Sequence, residues 1–443
     1  MGAVSHDCAG ARRDEGGAGG PELPPEFAAP TGAVAPEVWD RLAGPHFYSS
    51  AGSLAMAARD RQGITGAVHA GPADAPDAAV AVTALRDERG GANGWADILT
   101  ARGLPAPAQR ALMVGPRRGY QSHLLPGAAA TREQAAALLL PRLRATAADP
   151  GLRAALGGDA TGTAGTALPC VAMHTSAADL AALRSAGVDT PPVLVHLDAW
   201  LPVRPGGWEG YLAGQPSRRR SLIRKERRRF AESGLRVERL PLTACADEAA
   251  LLLAQTGRRY GGTVDPVALA AEFRLQETLL GVPGEVLLCR DQDGRAIGFS
   301  LLYHWGDTFY LRAAGFDYDR LPGVTEYFNL VYYLPLEIAA ERGARWLHAG
   351  IKASQAKAMR GAELRGLWLL DLSPDSPLHG REQQVHRANQ AFLAAQAGES
   401  EAVARALSAD LRAEFADTLT DLTAQGPTPP TPPTTPDRKH ADV

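Results

Sequence analysis

Short apolar runs alternate along the chain with amphipathic stretches of helical period, and this pattern is typical of mixed α/β proteins. In the first half, residues 66–115 contain several apolar runs separated by Gly and Pro, as in a sheet. Residues 131–156 read as a helix that Pro141 breaks or kinks. Two strands, at 168–175 and 191–200, flank a helix with Ser176 at its N-cap. The pattern predicts an α/β unit over residues 36–200.

The second half repeats this coarse order without a residue-by-residue repeat. Residues 207–234 read as helical, and residues 285–316 read as a three-stranded meander with turns at 293–294 and 306–307. A helix follows from near Thr325, then a strand at 346–349, a polar loop, a last strand and C-terminal helices. We therefore expect a second α/β unit over residues 201–423.

The two ends of the chain have a different composition. Residues 1–35 are rich in Gly, Pro, Ala and charge, and residues 424–443 are rich in Pro and Thr. Such segments bury too little apolar surface to offset the entropy of ordering, so both are predicted to be disordered tails.

Charge and cysteine content narrow the classes of function. The formal net charge of −3 excludes a globally basic nucleic-acid coat, so a polyanion would need a local basic patch. Four cysteines stand far apart without metal-ligand spacing, which predicts a reducing, cytoplasmic location and no metal. No signal peptide is recognisable, and no apolar run approaches the roughly 18 to 20 residues that span a bilayer.

Three sequence stretches together resemble a known family. They are WEGYL with the Arg-rich helix after it, the meander GRAIGFSLLYHWGDTFYLRAAGF, and the strand-to-loop element LHAGIKASQAKAMRG. In this order they resemble the Fem-like branch of the GNAT-superfamily acyltransferases, whose members carry two such domains in one chain. The resemblance covers residues 200–372 well and the first half weakly, and it implies a mixed central sheet flanked by helices in each half.

The resemblance also implies a site for the activated donor. In that fold a strand, here residues 308–314, separates from its neighbour, and the helix after it offers N-terminal N–H groups to phosphate. Members that use coenzyme A carry Arg or Gln, two residues, Gly, one residue, and then Gly or Ala. This chain has Arg312 and Gly315 in place but Asp317 at the end, where a carboxylate would face a pyrophosphate. That departure favours a donor other than acyl-CoA.

Two basic groups are candidates for binding the donor. Residues 218–229 hold eight basic side chains against the single Glu226, which indicates a helix able to bind an RNA or CoA backbone, or else a solvated surface. Within it we single out Arg220, Arg224 and Arg228. Lys352, Lys357 and Arg360 form the second group, in the loop after the predicted strand, where α/β proteins often bind ligands.

Transfer to an amine also needs a proton acceptor and a proton donor. Glu326 and Asp317 are candidate bases, His348 is a further base, and Tyr310 and Tyr327 are candidate acids for the leaving group. Each has a structural alternative: Glu326 as a first-turn acid, the tyrosines as core aromatics and His348 as a buried strand histidine.

We therefore expect an aminoacyl- or acyltransferase that needs no cofactor beyond its donor, with aminoacyl-tRNA preferred slightly over acyl-CoA. The acceptor would be an amine or hydroxyl of a small molecule or peptide, in natural-product or cell-wall precursor biosynthesis. The alternatives are an acyl-CoA-dependent N-acetyltransferase and a non-catalytic module that binds peptide or RNA.

Overall fold

The computed structural model describes residues 23–86, 94–157, 167–417 and 419, and within them twelve strands form one mixed sheet. The strands are β1 (Gly63–Ala70), β2 (Ala78–Leu85), β3 (Ala111–Val114), β4 (Leu125–Pro126), β5 (Cys170–Thr175), β6 (Val193–Pro202), β7 (Arg236–Pro241), β8 (Glu285–Arg290), β9 (Ala296–Trp305), β10 (Thr308–Phe316), β11 (Trp346–Gly350) and β12 (Glu363–Asp371).

Helices cover both faces of this sheet. In chain order they are α1 (Pro36–Ala43), α2 (Ala51–Ala57), α3 (Trp95–Ala101), α4 (Arg132–Ala148), α5 (Pro150–Ala155), α6 (Ala177–Ser185), α7 (Gly207–Ala213), α8 (Ser217–Ala231), α9 (Leu242–Arg259), α10 (Pro266–Leu280), α11 (Glu326–Phe328), α12 (Leu334–Glu341), α13 (Ser354–Ala358), α14 (Glu382–Gly398), α15 (Glu401–Ala406) and α16 (Ala409–Glu414). A π-helical turn, Asn329–Tyr333, joins α11 to α12. The mixed α/β fold predicted from the sequence is confirmed.

The strands run in the order β1-β2-β3-β5-β12-β6-β11-β10-β9-β8-β7, with β4 beside β2. Only the pairs β3/β5 and β10/β11 are parallel among the described strands. Each half therefore builds an antiparallel meander, of three strands in the first half and four in the second, followed by one parallel strand. Each half then gives its last strand to the border with the other half. β12 pairs with β5, β6 pairs with β11, and β6 and β12 pair with each other.

This exchange bears on the predicted division into domains at residues 36–200 and 201–423. The predicted boundary falls inside β6, and the sheet continues through it without interruption. The division remains a prediction about ancestry and folding, whereas the described structure is one sheet.

Local signals in the sequence explain several helix ends. Ser50 and Ser176 cap α2 and α6 by accepting the N–H groups of Ser53 and Asp179, each at 3.2 Å. Of the two outcomes predicted at Pro141, the break is wrong, because α4 continues across this residue, and the kink stays a prediction.

The prediction for the tails needs one correction. Residues 23–35 pack against the sheet, with Phe27 and Val34 buried, because these two apolar side chains reach the core that the first half offers. The rest of the predicted N-terminal tail, residues 1–22, and all of residues 424–443 lie outside the described part of the chain.

Candidate active site

Strands β10 and β11 pair over only three residues and then separate. The parallel register joins Thr308–Tyr310 of β10 to Trp346–His348 of β11, and after Tyr310 strand β10 continues to Phe316 with β9 alone. A bulge between Leu311 and Ala313 accompanies the separation. The strand separation expected at residues 308–314 is therefore present, and it leaves β10 without a partner on one edge.

The equivalent place in the first half is filled by the chain itself. Strands β3 and β5 are also parallel, but Ser122 lies where they separate. Its Oγ donates to the Met173 carbonyl oxygen, 2.5 Å away, and its N–H donates to the His174 carbonyl at 3.1 Å. Ser122 thus occupies these backbone acceptors, so the β3–β5 separation is closed by the chain at this point, and we place the candidate site at the β10–β11 separation.

A buried carboxylate and imidazole lie at the closed end of the β10–β11 opening. His348 Nε2 is 2.7 Å from Asp198 Oδ1, and both side chains are fully buried. Gln121 and Trp200 each donate to Asp198 Oδ2 at 2.8 Å. Burial alone would raise the pKa of Asp198, but the His348 ring and these hydrogen bonds outweigh burial and hold that pKa below its usual value.

This arrangement fixes the orientation of His348. The ionised Asp198 carboxylate accepts a hydrogen bond from the protonated Nε2 of His348. The other ring nitrogen, Nδ1, is buried without a hydrogen-bond partner among the described residues. An oriented imidazole with a free ring nitrogen is suited to accept a proton from a ligand.

Aromatic side chains from the first half close one side of this cluster. Tyr48 packs edge-on against both Tyr310 and His348, with ring centroids 5.7 Å apart in each case. Tyr310 donates its hydroxyl to the Pro45 carbonyl at 2.9 Å. Burial raises the pKa of both tyrosines, so neither is an anion at neutral pH. Arg312 lies at the bulge, and its positive charge partly opposes the rise in the pKa of Tyr48.

Lys357 reaches the same cluster from α13. Its ammonium group donates to the Gly350 carbonyl at 2.7 Å, and the side chain is 5% exposed. Burial lowers the pKa of Lys357 to about 7, with the nearby Asp198 carboxylate opposing the shift. A lysine that titrates near neutral pH beside a buried carboxylate and a histidine is a candidate for proton transfer.

The first turn of the central helix is occupied by its own carboxylate. Glu326 is buried, and its Oε1 accepts the Gly323 N–H at 2.8 Å, as a capping side chain does. Asp317 lies 3.6 Å from Arg320 in the loop before this helix. Two carboxylates thus stand where a donor's pyrophosphate would need positive partners.

The remaining predicted site residues on this side of the molecule have structural partners. The Tyr327 hydroxyl lies 3.2 Å from that of Tyr332, and burial raises the pKa of Tyr327. A Cβ on Gly315 would lie 2.6 Å from the backbone of α9 at Leu252, so this glycine permits close packing of β10 on that helix.

Arg360 has its partners on α8 and on the central helix. Its guanidinium bonds both carboxylate oxygens of Glu226, at 3.0 and 3.2 Å, and lies 3.3 Å from the ring centroid of Phe328. All three side chains are at least partly buried. Arg360 therefore ties α8 to the central helix, and its predicted part in donor binding stays a prediction.

The Arg-rich helix α8 has two unlike faces. Ile223, Glu226 and Phe230 are buried. Arg220, Arg224 and Arg228, spaced four residues apart, form a stripe in which Arg220 is half-buried and the other two are exposed. Arg224 lies 3.6 Å from the exposed Glu209. The solvated-surface interpretation and the polyanion-binding interpretation both fit this stripe.

Lys352 lies at a separate cavity of about 300 Å³ between β6, α14 and the loop after β11. Burial lowers its pKa. The structure thus gathers His348, Tyr310, Arg312 and Lys357 at one opening and leaves Glu326, Asp317, Tyr327 and Arg360 around the start of the central helix.

Sequence reasoning did not single out Asp198, Tyr48 or Gln121, all of which come from outside the C-terminal segment. Asp198 carried a usable signal, because a charged residue inside the apolar run VLVHLDAW is rarely buried unless it is paired. Tyr48 and Gln121 carried none, since their positions depend on how the two halves meet.

Comparison with known proteins gives one family match. Residues 199–407 match the FemAB-like family, described as peptidoglycan biosynthesis/recognition. Among solved structures, FemX is 12% identical with a TM-score of 0.49, covering 78% of this chain and 98% of that one. The C-terminal domain of a putative lysylphosphatidylglycerol synthetase from Agrobacterium fabrum is 12% identical with a TM-score of 0.46, covering 77% and 91%.

A tandem GNAT protein from the clavulanic acid biosynthesis pathway is 13% identical with a TM-score of 0.40, covering 76% of this chain and 93% of that one. Among curated proteins, none matches this sequence. Across the described residues, no helix combines the length and apolar character needed to cross a membrane.

Proposed function

We propose that this chain, whose residues 199–407 match the FemAB-like family, transfers an aminoacyl group from aminoacyl-tRNA to the amine of a small molecule or peptide. The observation that carries the proposal is the opening between β10 and β11, with Asp198, His348 and Lys357 at its closed end. An unpaired strand edge can bind an extended donor arm through backbone hydrogen bonds.

The proposed step balances without a cofactor beyond the donor. The acceptor nitrogen attacks the ester carbonyl carbon of the donor, forming a C–N bond, and its proton passes to His348 Nδ1. The tetrahedral intermediate collapses by breaking the C–O bond to the ribose, and the Lys357 ammonium protonates the departing oxygen. Asp198 holds the imidazole in place and stabilises the imidazolium that forms.

The preference for aminoacyl-tRNA over acyl-CoA is supported by charge. Glu326 and Asp317 put two carboxylates at the start of the central helix, where the pyrophosphate of coenzyme A would bind in this fold. The stripe on α8, by contrast, offers three arginines to a nucleic-acid backbone. An amine acceptor is preferred over a hydroxyl because a neutral amine is already a good nucleophile and loses its proton as the amide forms, whereas a hydroxyl must be deprotonated as it attacks.

The test is transfer from total aminoacyl-tRNA, with acetyl-CoA and longer acyl-CoAs in parallel reactions and common amino acids and dipeptides as acceptors. We expect new amide products only with aminoacyl-tRNA. Products only with an acyl-CoA would overturn the donor assignment, and no product with either donor would overturn the proposed transfer.

A variant tests the part assigned to α8. Replacing Arg220, Arg224 and Arg228 by Gln should weaken tRNA binding and reduce the slope of log K against log salt by about 2 to 3, because each lost phosphate contact contributes about 0.7 to 0.9. The matched control replaces Arg59, Arg61 and Arg110, three exposed arginines of the first half, and should leave the slope unchanged. Equal slopes in the two triple variants would show that α8 is a solvated surface.

A further inference from the structure

The cavity of about 300 Å³ beside the end of β11 is not used by the proposed transfer step. We propose that it binds a free α-amino acid, and that this molecule is the acceptor. The acceptor role rests on the proposed function, whereas the binding does not.

The cavity lies next to the Asp198–His348 pair. His196 lines it from β6, and because side chains alternate along a strand, His196 and Asp198 project from the same face of the sheet. Ile351 and Lys352 line it from the loop that follows β11 directly. A ligand held here would therefore sit close to where β10 and β11 separate.

Size limits the ligand to one small molecule. Pockets for small ligands begin at about 300 Å³, so this cavity suits a single amino acid better than a nucleotide or a sugar–lipid conjugate. Its apolar lining consists of Leu197, Ile351 and Phe392, of which the first two are buried. That lining would accept an apolar side chain.

The polar lining carries one charge of each sign. Lys352 and Glu399 both line the cavity, and burial lowers the pKa of the lysine and raises that of the glutamate. Both shifts show that each charged form is held in a partly desolvated place. A zwitterion matches this arrangement, with its carboxylate at Lys352 and its ammonium group at Glu399. To act as the acceptor, the ammonium group first gives one proton to the Glu399 carboxylate, and the neutral amine then attacks the donor.

The hydrogen bonds around Glu399 are long enough to exchange for a ligand. Gln396 Nε2 lies 3.3 Å from Glu399 Oε1, and Ser354 Oγ lies 3.4 Å from Gln396 Oε1, both long for hydrogen bonds. Ala353, between Lys352 and Ser354, has φ of +56°, a strained backbone that persists only where the surroundings hold it. The loop is therefore fixed in a shape that brings Lys352 and Ser354 to the cavity.

The binding test uses the full chain and needs no donor. Calorimetry or saturation-transfer NMR would compare L-leucine with L-leucinamide, which lacks the carboxylate, and with N-acetyl-L-leucine, which lacks the ammonium group. We expect each modification to weaken binding about tenfold, the effect of losing one charge-assisted hydrogen bond. The dipeptides Leu-Gly and Gly-Leu distinguish a free amino acid from a peptide end.

Two variants assign the charges. Lys352→Gln should remove the preference for leucine over leucinamide and keep the preference over N-acetyl-leucine, and Glu399→Gln should do the reverse. Glu382→Gln is the matched control, because Glu382 is exposed and lies on α14, the helix that also carries Phe392 and Gln396 of the cavity lining. This substitution should change neither of the two preferences. The crossed pattern separates a binding site from a general loss of stability.

The outcomes of this test and of the transfer test are distinguishable. No binding of leucine, tighter binding of either dipeptide than of leucine, or equal affinities in wild type and both variants would overturn the pocket while leaving transfer untouched. Binding with the crossed pattern but no transfer from any donor would leave the pocket in place and overturn the acceptor role.

Discussion

At the scale of single residues, Lys357 combines a cost to the fold with a chemical use. Its pKa of about 7 lies well below the ordinary lysine value because its ammonium group is buried. A methionine at this position would stabilise the fold by packing at least as well. A long apolar side chain would fill the same space without desolvating a charge. We regard the lysine as a residue kept for chemistry, as perturbed groups in clefts often are.

Lys357→Met should therefore raise stability and abolish transfer. The pKa of Lys357 is lower in the folded protein than in the unfolded chain, so the buried ammonium group lowers the free energy of unfolding. This destabilisation is complete below pH 7 and fades as the pH rises towards 10.5, the ordinary lysine value. We expect the variant to be more stable than wild type by about 2–4 kcal/mol at pH 7, after allowing for the lost bond to Gly350. Transfer should fall at least about 100-fold.

Chemical denaturation between pH 7 and 10 provides the measurement, with the difference between the two proteins shrinking as pH rises. Lys357→Arg, which keeps the charge but cannot release a proton, is the companion variant for activity. A Met variant less stable than wild type at pH 7, with the same difference at pH 10, would mean that the lysine is structural.

At the scale of elements, the sequence predicted much of the second half because its signals are local. The meander β8–β10, its turns and the strand at β11 follow from alternation and from Gly-containing turns. The inference about the donor that was drawn from Asp317 stays a prediction, and the structure adds the buried Glu326 at the start of the helix that follows. Arg360 is different: nothing near it in sequence indicates that its partner is Glu226, on a helix more than a hundred residues earlier.

The Glu226–Arg360 pair gives a prediction at this scale. Arg360→Met should destabilise the protein by about 3–5 kcal/mol, because it leaves a buried carboxylate without its cation. Replacing both partners, with Glu226→Leu added, should recover most of that loss, since no buried charge remains. A double-mutant cycle by chemical denaturation measures the coupling.

Activity of the double variant then separates two roles of Arg360. With the fold recovered, transfer close to wild type would assign the arginine to packing, and a persistent loss would support its predicted contact with the donor. A double variant as unstable as the single one would contradict the ion-pair explanation itself.

At the scale of the whole molecule, the exchange of β6 and β12 explains what the sequence could not supply. Asp198 meets His348 because β6 leaves its own half and pairs with β11, so the buried pair exists only once both halves have formed. Gln121 and Tyr48 join it for the same reason. Contacts of this kind depend on topology, and neither periodicity nor spacing encodes which half receives the last strand.

The exchange predicts that the halves cannot fold apart. A chain cut in the exposed loop at Arg204–Gly206 would leave β6 in the first fragment and both of its neighbours, β11 and β12, in the second. Expressed separately, each fragment would expose unpaired strands in the middle of its sheet and should aggregate. Expressed together, the fragments should assemble one to one.

A protease site inserted at the same loop supplies the control for the cut itself. After cleavage of the folded protein, the two fragments should elute together and unfold in one transition near that of the intact chain, because three strand pairings hold them: β5/β12, β12/β6 and β6/β11. Cooperative unfolding of either fragment alone would show that the halves are independent domains. In that case the buried Asp198–His348 pair would be a contact made on docking, and transfer should then depend on the concentration of the mixed fragments.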